Sequence, residues 1–348
     1  MPARVPSGVP YVFVTRGEAV ESVHCVAACA ASDEGDVSLA LGEVEVPIFL
    51  RSAWKPFIAA DVVACGAAAH FGFERRELAV IAASHNGEPL HVAAVRGILA
   101  KIGLDERALQ CGAHAPSYEP AARALREAGG APSALHNNCS GKHAGVLASC
   151  VRAGIDPATY LSPENSVQQR IAAFCARLAG DELAEMPRGV DGCGFPVYAT
   201  SLAKAALAFA RLRSLRGIDP ADAAALGVVR DAMLAEPAYV AGTARLDTAL
   251  METTRGRIVC KAGAEGVHAS GLERLGVGYG LVLKVVDGNR RAAPPAAVAL
   301  LSAAGWLSAM EKRALATFAR ADVRNVAGAV VGSIAARSDD TIVRNGAS

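Results

Sequence analysis

Between Tyr11 and Leu50 the apolar positions fall in short valine-rich runs cut by Gly17, Gly35 and Gly42, the spacing of a strand meander. From Lys55 to about Leu234 the period lengthens to that of helices. The clearest stretches are Glu77 to Ala83, Leu90 to Ile102, Pro120 to Ala128, Gly145 to Ala153, Ser166 to Leu178 and Leu202 to Leu212. Strand signals return at Arg257 to Lys261 and at Leu275 to Val286, closed by Asp287-Gly288, and helices follow at Pro295 to Ala304 and Ser308 to Phe318. Strands at both ends around a helical middle predict one α+β domain over residues 1–348. In it a mostly antiparallel sheet, built from about 10–50 and 255–290, is flanked by a helical insert, 55–250, and residues 339–348 read as a loose tail.

Composition narrows the function classes. A chain of 348 residues that is 52% hydrophobic buries a sizeable core. With 35 basic and 34 acidic side chains it lacks the electrostatic footprint of a nucleic-acid or membrane-surface binder, which leaves a small molecule as the expected partner. No apolar run approaches the length of a membrane span, and Met1 to Ser7 lack the features of a signal peptide, so a cytoplasmic location is expected. Nine scattered cysteines fit reduced thiols, with a metal among them, better than a disulfide framework.

The candidate chemistry begins at Arg51-Ser52-Ala53-Trp54-Lys55-Pro56, where an apolar run meets a helix pattern. Ser52 and Lys55 are one helical turn apart, so an unprotonated amine could take the hydroxyl's proton and make serine a nucleophile. Ser201 and Lys204 repeat the spacing. Only the first pair is followed by a Ser-x-Asn element, Ser84-His85-Asn86, and then by Lys261-Ala262-Gly263, the order of parts in serine acyl-transferases of the penicillin-binding type. Lys101-Ile102-Gly103 copies the third element, but its glycine reads as a helix cap. A second cluster places Cys139 in His136-Asn-Asn-Cys-Ser-Gly-Lys-His143 and Cys193 in Asp191-Gly-Cys-Gly-Phe195. Thiols on glycine turns beside imidazole, carboxylate and amine groups are the makings of a zinc site, with His136 or His143 as the third ligand expected from residue types.

Taken together, Arg51-Ser-Ala-Trp-Lys-Pro, Ala83-Ser-His-Asn-Gly-Glu, His136 to Gly145, Asp191-Gly-Cys-Gly-Phe-Pro and Lys261-Ala-Gly-Ala-Glu-Gly resemble the L-asparaginase II family, the thermolabile rhizobial type. The resemblance runs from about Val12 to about Gly332. It implies a fold like that of serine β-lactamases and glutaminases, a homodimer, and hydrolysis of L-asparagine to L-aspartate and ammonia. It implies two serine-lysine pairs, Ser52 with Lys55 and Ser84 with Lys261, and a Zn2+ site of Cys139, Lys142 and Cys193. Arg51, Asn86 and Asp191 match positions expected to bind substrate. His85 and Ala262 stand where the penicillin-binding pattern has aspartate and threonine, which argues against β-lactam hydrolysis. The alternatives are a zinc-dependent amidase, and a glutaminase or penicillin-binding-type acyl-transferase.

Overall fold

A computed structural model describes residues 4–337 of the chain; the tail expected at 339–348 lies outside them. Along the described chain run strands β1 (Val9–Arg16), β2 (Ala19–Ser32), β3 (Val37–Leu41), β4 (Ile48–Phe49), β5 (Arg188–Val190), β6 (Pro196–Thr200), β7 (Ile258–Gly263), β8 (Val267–Arg274), β9 (Val277–Val285), β10 (Arg320–Arg324) and β11 (Val330–Ala336). Helices fill most of the stretch between β4 and β7, so the class is α+β, as expected. The chain divides into two compact units. One takes the chain up to Ala53, Ala199–Gly217 and the chain from Ala249 on; the other takes Trp54–Tyr198 and Ile218–Thr248.

The first unit is built on an antiparallel sheet of order β10-β11-β1-β2-β9-β8-β7, with β3 also paired to β2. The sheet therefore joins both ends of the chain, the relationship the terminal strand patterns predict. Its centre is β2, where Val26 to Ala31 form an unbroken buried run, the mark of a strand covered on both faces. The helix Leu202–Ser214 packs directly on β2, β8 and β9. Glycine permits this close approach: a Cβ on Gly280 would fall 1.9 Å from the Ala206 carbonyl oxygen, and one on Gly271 would fall 2.5 Å from that of Phe209.

The Leu202 to Leu212 helix belongs with the sheet and not with the helical middle, because the glycine-lined strands give it a bed. Five strands, β5, β6, β8, β10 and β11, were not legible as such. The strand expected to start at Leu275 starts two residues later, since Leu275 and Gly276 are the left-handed turn of the β8–β9 hairpin, with φ of 52° and 78°. The helix expected over Ser308 to Phe318 is two short pieces, Ala309–Ala314 and Ala316–Ala319.

The second unit gathers around the helix Lys55–Ala64, whose first eight residues are all buried. Helices Ser140–Ala153, Ser166–Ala179 and Pro220–Ala235 pack against it. A helix that is apolar on every side is stable only in such surroundings. Its one buried carboxylate, Asp61, receives both arms of the Arg170 guanidinium at 2.8 and 2.9 Å. The helix Arg75–Ile81 crosses Ser140–Ala153 so closely that a Cβ on Gly141 would lie 2.0 Å from the Val80 carbonyl oxygen. This crossing brings the end of one chemical element, Ser84, to the start of another, Cys139.

Candidate active site

Lys55 opens the central helix and is 1% exposed. Its Nζ donates to the carbonyl oxygens of Ala83, at 2.6 Å, and Asn138, at 3.1 Å, and to the Ser84 hydroxyl, at 3.0 Å. Carbonyls only accept, whereas a hydroxyl both donates and accepts. An uncharged amine can therefore keep two N–H groups on the carbonyls and offer its lone pair to a hydroxyl. Burial pushes the Lys55 ammonium below the usual lysine range, helped by the charge of Lys142 and opposed by the sulfurs of Cys139 and Cys193.

Ser84 follows the helix Arg75–Ile81 in a segment that lies against a second one. Ser84 N donates to Val240 O at 3.0 Å, and Asn86 N donates to Ala241 O at 2.9 Å. The Asn86 amide is engaged on all sides. Its nitrogen donates to Glu88 Oε1 (3.1 Å) and Thr243 O (2.9 Å), while its oxygen accepts from Ser117 Oγ (3.1 Å) and Arg245 Nη1 (3.0 Å). Both N–H groups and both acceptor positions of the Asn86 amide are in use, and they tie the protein's own segments together.

In the first unit, Arg51 has φ of 52°, a left-handed conformation that a side-chain-bearing residue adopts only under strain. The kink turns the chain from β4 into the 3-10 turn Arg51–Trp54 and leaves both Arg51 and Ser52 half-buried. Strain at a strand-to-helix turn is a recurrent way of holding a nucleophilic hydroxyl proud of the backbone. Lys261 lies on β7, fully buried, and donates to Ala262 O at 2.7 Å. Two residues on, Gly263 passes Leu50 so tightly that a Cβ there would sit 2.5 Å from the Leu50 carbonyl oxygen. The Lys-x-Gly element and the turn that carries Ser52 are thus neighbours.

Cys139 caps the helix Ser140–Ala153, and Cys193 sits in the turn of the β5–β6 hairpin, which is closed by Asp191 N to Phe195 O at 2.8 Å and by Gly194 at φ of 81°. Both sulfurs and Lys142 are buried, and Lys142 Nζ donates to Cys193 Sγ at 3.2 Å. The Cys193 and Cys139 sulfurs interact as a hydrogen-bonded pair. That bond, with the charges of Lys55 and Lys142, holds the Cys139 thiol far below its usual range against the cost of burial, and it pushes Cys193 up. For Lys142, burial lowers the ammonium, but the nearby sulfurs and Asp191 outweigh it and leave it raised. Two sulfurs and one amine suit a borderline ion such as Zn2+ and leave a fourth coordination position. The imidazoles that residue types favoured have other partners at Nδ1: His136 Nδ1 accepts from Ser133 N at 3.0 Å, and His143 Nδ1 meets the Tyr160 hydroxyl at 2.6 Å.

The decoys resolve as ordinary structure. Ser201 caps its helix, accepting from Lys204 N, and Lys101 pairs with Glu77 at 2.5 Å. His91 and His114, which lack obvious companions in the sequence, have them in space. The His91 ring stacks on His85 with centroids 4.9 Å apart, and His114 Nε2 accepts from Asn138 N at 2.9 Å. Sequence reasoning missed Glu88, Thr243 and Arg245. Glu88 left a signal, since Glu-Pro-x-His reads as a capping box at a helix start; Thr243 and Arg245 left none.

An α+β chain that buries a serine-lysine hydrogen bond near a cluster of two cysteines and a lysine has the parts for acyl transfer at a carbonyl. A family profile described as L-asparaginase II matches residues 12–336, and the chain belongs to that family. Among curated protein sequences none matches. A solved structure titled "Crystal Structure Analysis of Mglu" is similar at 11% identity with a TM-score of 0.33, covering 77% of this chain; the chain spans 64% of that structure's length.

Proposed function

We propose that the protein is an amidohydrolase that cleaves the side-chain amide of L-asparagine through a serine ester. The observation that carries this reading is the buried bond between Lys55 Nζ and Ser84 Oγ, set in a member of the L-asparaginase II family. Uncharged Lys55 takes the proton of Ser52, three residues earlier in the chain, and Ser52 Oγ bonds to the amide carbon. As the tetrahedral intermediate collapses, the C–N bond breaks, Ser84 gives its proton to the departing nitrogen, and Lys55 returns a proton to Ser84 across the 3.0 Å bond. Water then cleaves the β-aspartyl ester by the same relay in reverse. We assign Lys261 the part of the second lysine, and Arg51 and Asp191 the charged ends of the substrate.

Cys139, Lys142 and Cys193 would hold Zn2+, with Lys142 giving up its proton to do so. The ion, when bound, supplies a positive charge that orients a substrate oxygen. Ammonia release from asparagine and from glutamine, side by side with and without added zinc, tests the reading. Ammonia from asparagine supports it, and a chain that binds asparagine without releasing ammonia contradicts it.

A further inference from the structure

We propose that Glu88 is a positioning residue for proton delivery to the leaving nitrogen: its carboxylate docks the segment Val240–Arg245 on the Ser84 turn and so fixes where Ser84 points. The inference rests on the acyl-transfer reading above and adds a residue to it. Glu88 is 7% exposed and lies four positions beyond Ser84. Its Oε1 accepts from Thr243 N at 2.8 Å and from Asn86 Nδ2 at 3.1 Å, and its Oε2 accepts from Thr243 Oγ1 at 2.7 Å. A helix cap alone would need only the N–H of the following turn. The bonds to Thr243, 155 residues away along the chain, serve no cap.

The docked segment touches Ser84 from two sides. Val240 O accepts from Ser84 N at 3.0 Å, and Arg245 Nη1 reaches Ser84 O at 3.4 Å while it donates to Asn86 Oδ1 at 3.0 Å. Between them the backbone is forced: Gly242 has φ of 109° and Ala244 has φ of 59°. A Cβ at Gly242 would lie 2.3 Å from Glu88 Oε1 and 2.7 Å from Asn86 Nδ2, so this close seat admits glycine alone. Two left-handed residues in three persist where the surroundings over-determine them, and the Glu88 carboxylate supplies that constraint. Burial works against the Glu88 charge, but the two Thr243 bonds and the Asn86 amide outweigh it and keep the carboxyl below its usual range.

The segment's effect falls on one chemical step. An amide nitrogen leaves only with a proton, whereas a phenolate leaves without one. Purified full-length Glu88→Ala, Thr243→Val and Glu88→Gln are therefore assayed on asparagine and on an aryl β-ester of aspartate. For Glu88→Ala, kcat/KM on asparagine is expected to fall about tenfold while the ester changes by less than about twofold. Thr243→Val, an exposed position that tests the same link should Glu88→Ala fail to fold, shifts in the same direction by less. Glu88→Gln retains most activity, because its oxygen still accepts two N–H groups and its NH2 can donate to the Thr243 hydroxyl. Equal losses on both substrates, or unchanged asparagine turnover in both Glu88→Ala and Thr243→Val, would overturn the inference. A wild-type chain that hydrolyses neither substrate would overturn the functional reading itself, before any variant is compared.

Discussion

Lys55 and Ser84, 29 residues apart in sequence, share a 3.0 Å hydrogen bond in a buried part of the second unit. The amine's other two partners are carbonyls, so Ser84 is the one of the three that can both give and take a proton. The pairing that sequence suggests for Lys55 is with Ser52; in the proposed reaction the bond to Ser84 would make the same amine the link between attack and departure.

Lys55→Met keeps the volume and removes the proton acceptor, so it should lower kcat by at least about 10²-fold with little change in melting temperature. Ser84→Ala should lower kcat/KM for asparagine while sparing kcat/KM for an aryl ester, which reports acylation alone. Initial rates of ammonia release, together with thermal melts of each variant, decide the point. A Lys55→Met enzyme within about tenfold of wild type would remove the lysine from the chemistry.

Gly141→Ala would drive a methyl group toward the Val80 carbonyl at the helix crossing, where backbone faces backbone and no flexible side chain can give way. Destabilisation of roughly 1–3 kcal/mol is expected from such overpacking, measured by urea unfolding. Unchanged stability would show that the two helices can part without cost.

Much of this arrangement was legible beforehand. The terminal strands, the helical middle and the cysteine turns follow from hydrophobic period and from glycine placement, both of which are local. What sequence hid is non-local. Nothing near residue 84 announces that Val240 to Arg245 will lie along it. Nothing around the glycines of β8 and β9 announces that the helix Leu202–Ser214 will rest on them. Lys142 passed for a third ligand only through family resemblance, since imidazoles at 136 and 143 are better donors by type; their Nδ1 atoms are engaged by Ser133 and Tyr160.

Removing metal should raise KM for asparagine more than it lowers kcat, because the ion is assigned to orienting substrate and not to making a nucleophile. Cys139→Ser and Cys193→Ser should each reduce bound zinc, read directly by metal analysis of the purified protein. A chelated enzyme that binds asparagine normally but no longer turns it over would move the chemistry to the metal.

Acid should destabilise the second unit from about pH 6.5 downward. Burial, first of all, holds both His85 and His91 below the usual value of 6.5. Their Nδ1 atoms accept backbone N–H groups from Gly87 and Glu88, each at 3.1 Å, so a proton there would set donor against donor. The unfolded chain takes up these protons near pH 6.5 and the folded chain resists. Stability is therefore complete above that pH and falls below it, by up to about 1.4 kcal/mol per pH unit for each imidazole. Urea unfolding across this range should show the decline, and His91→Gln should flatten it.

The most direct test of the account is to stop the reaction with acid during turnover of asparagine and locate the covalent adduct by peptide mass. A β-aspartyl ester on Ser52, absent from Ser52→Ala together with activity, is the expected result. Turnover that persists in Ser52→Ala, or an ester found on Ser84 instead, would contradict it.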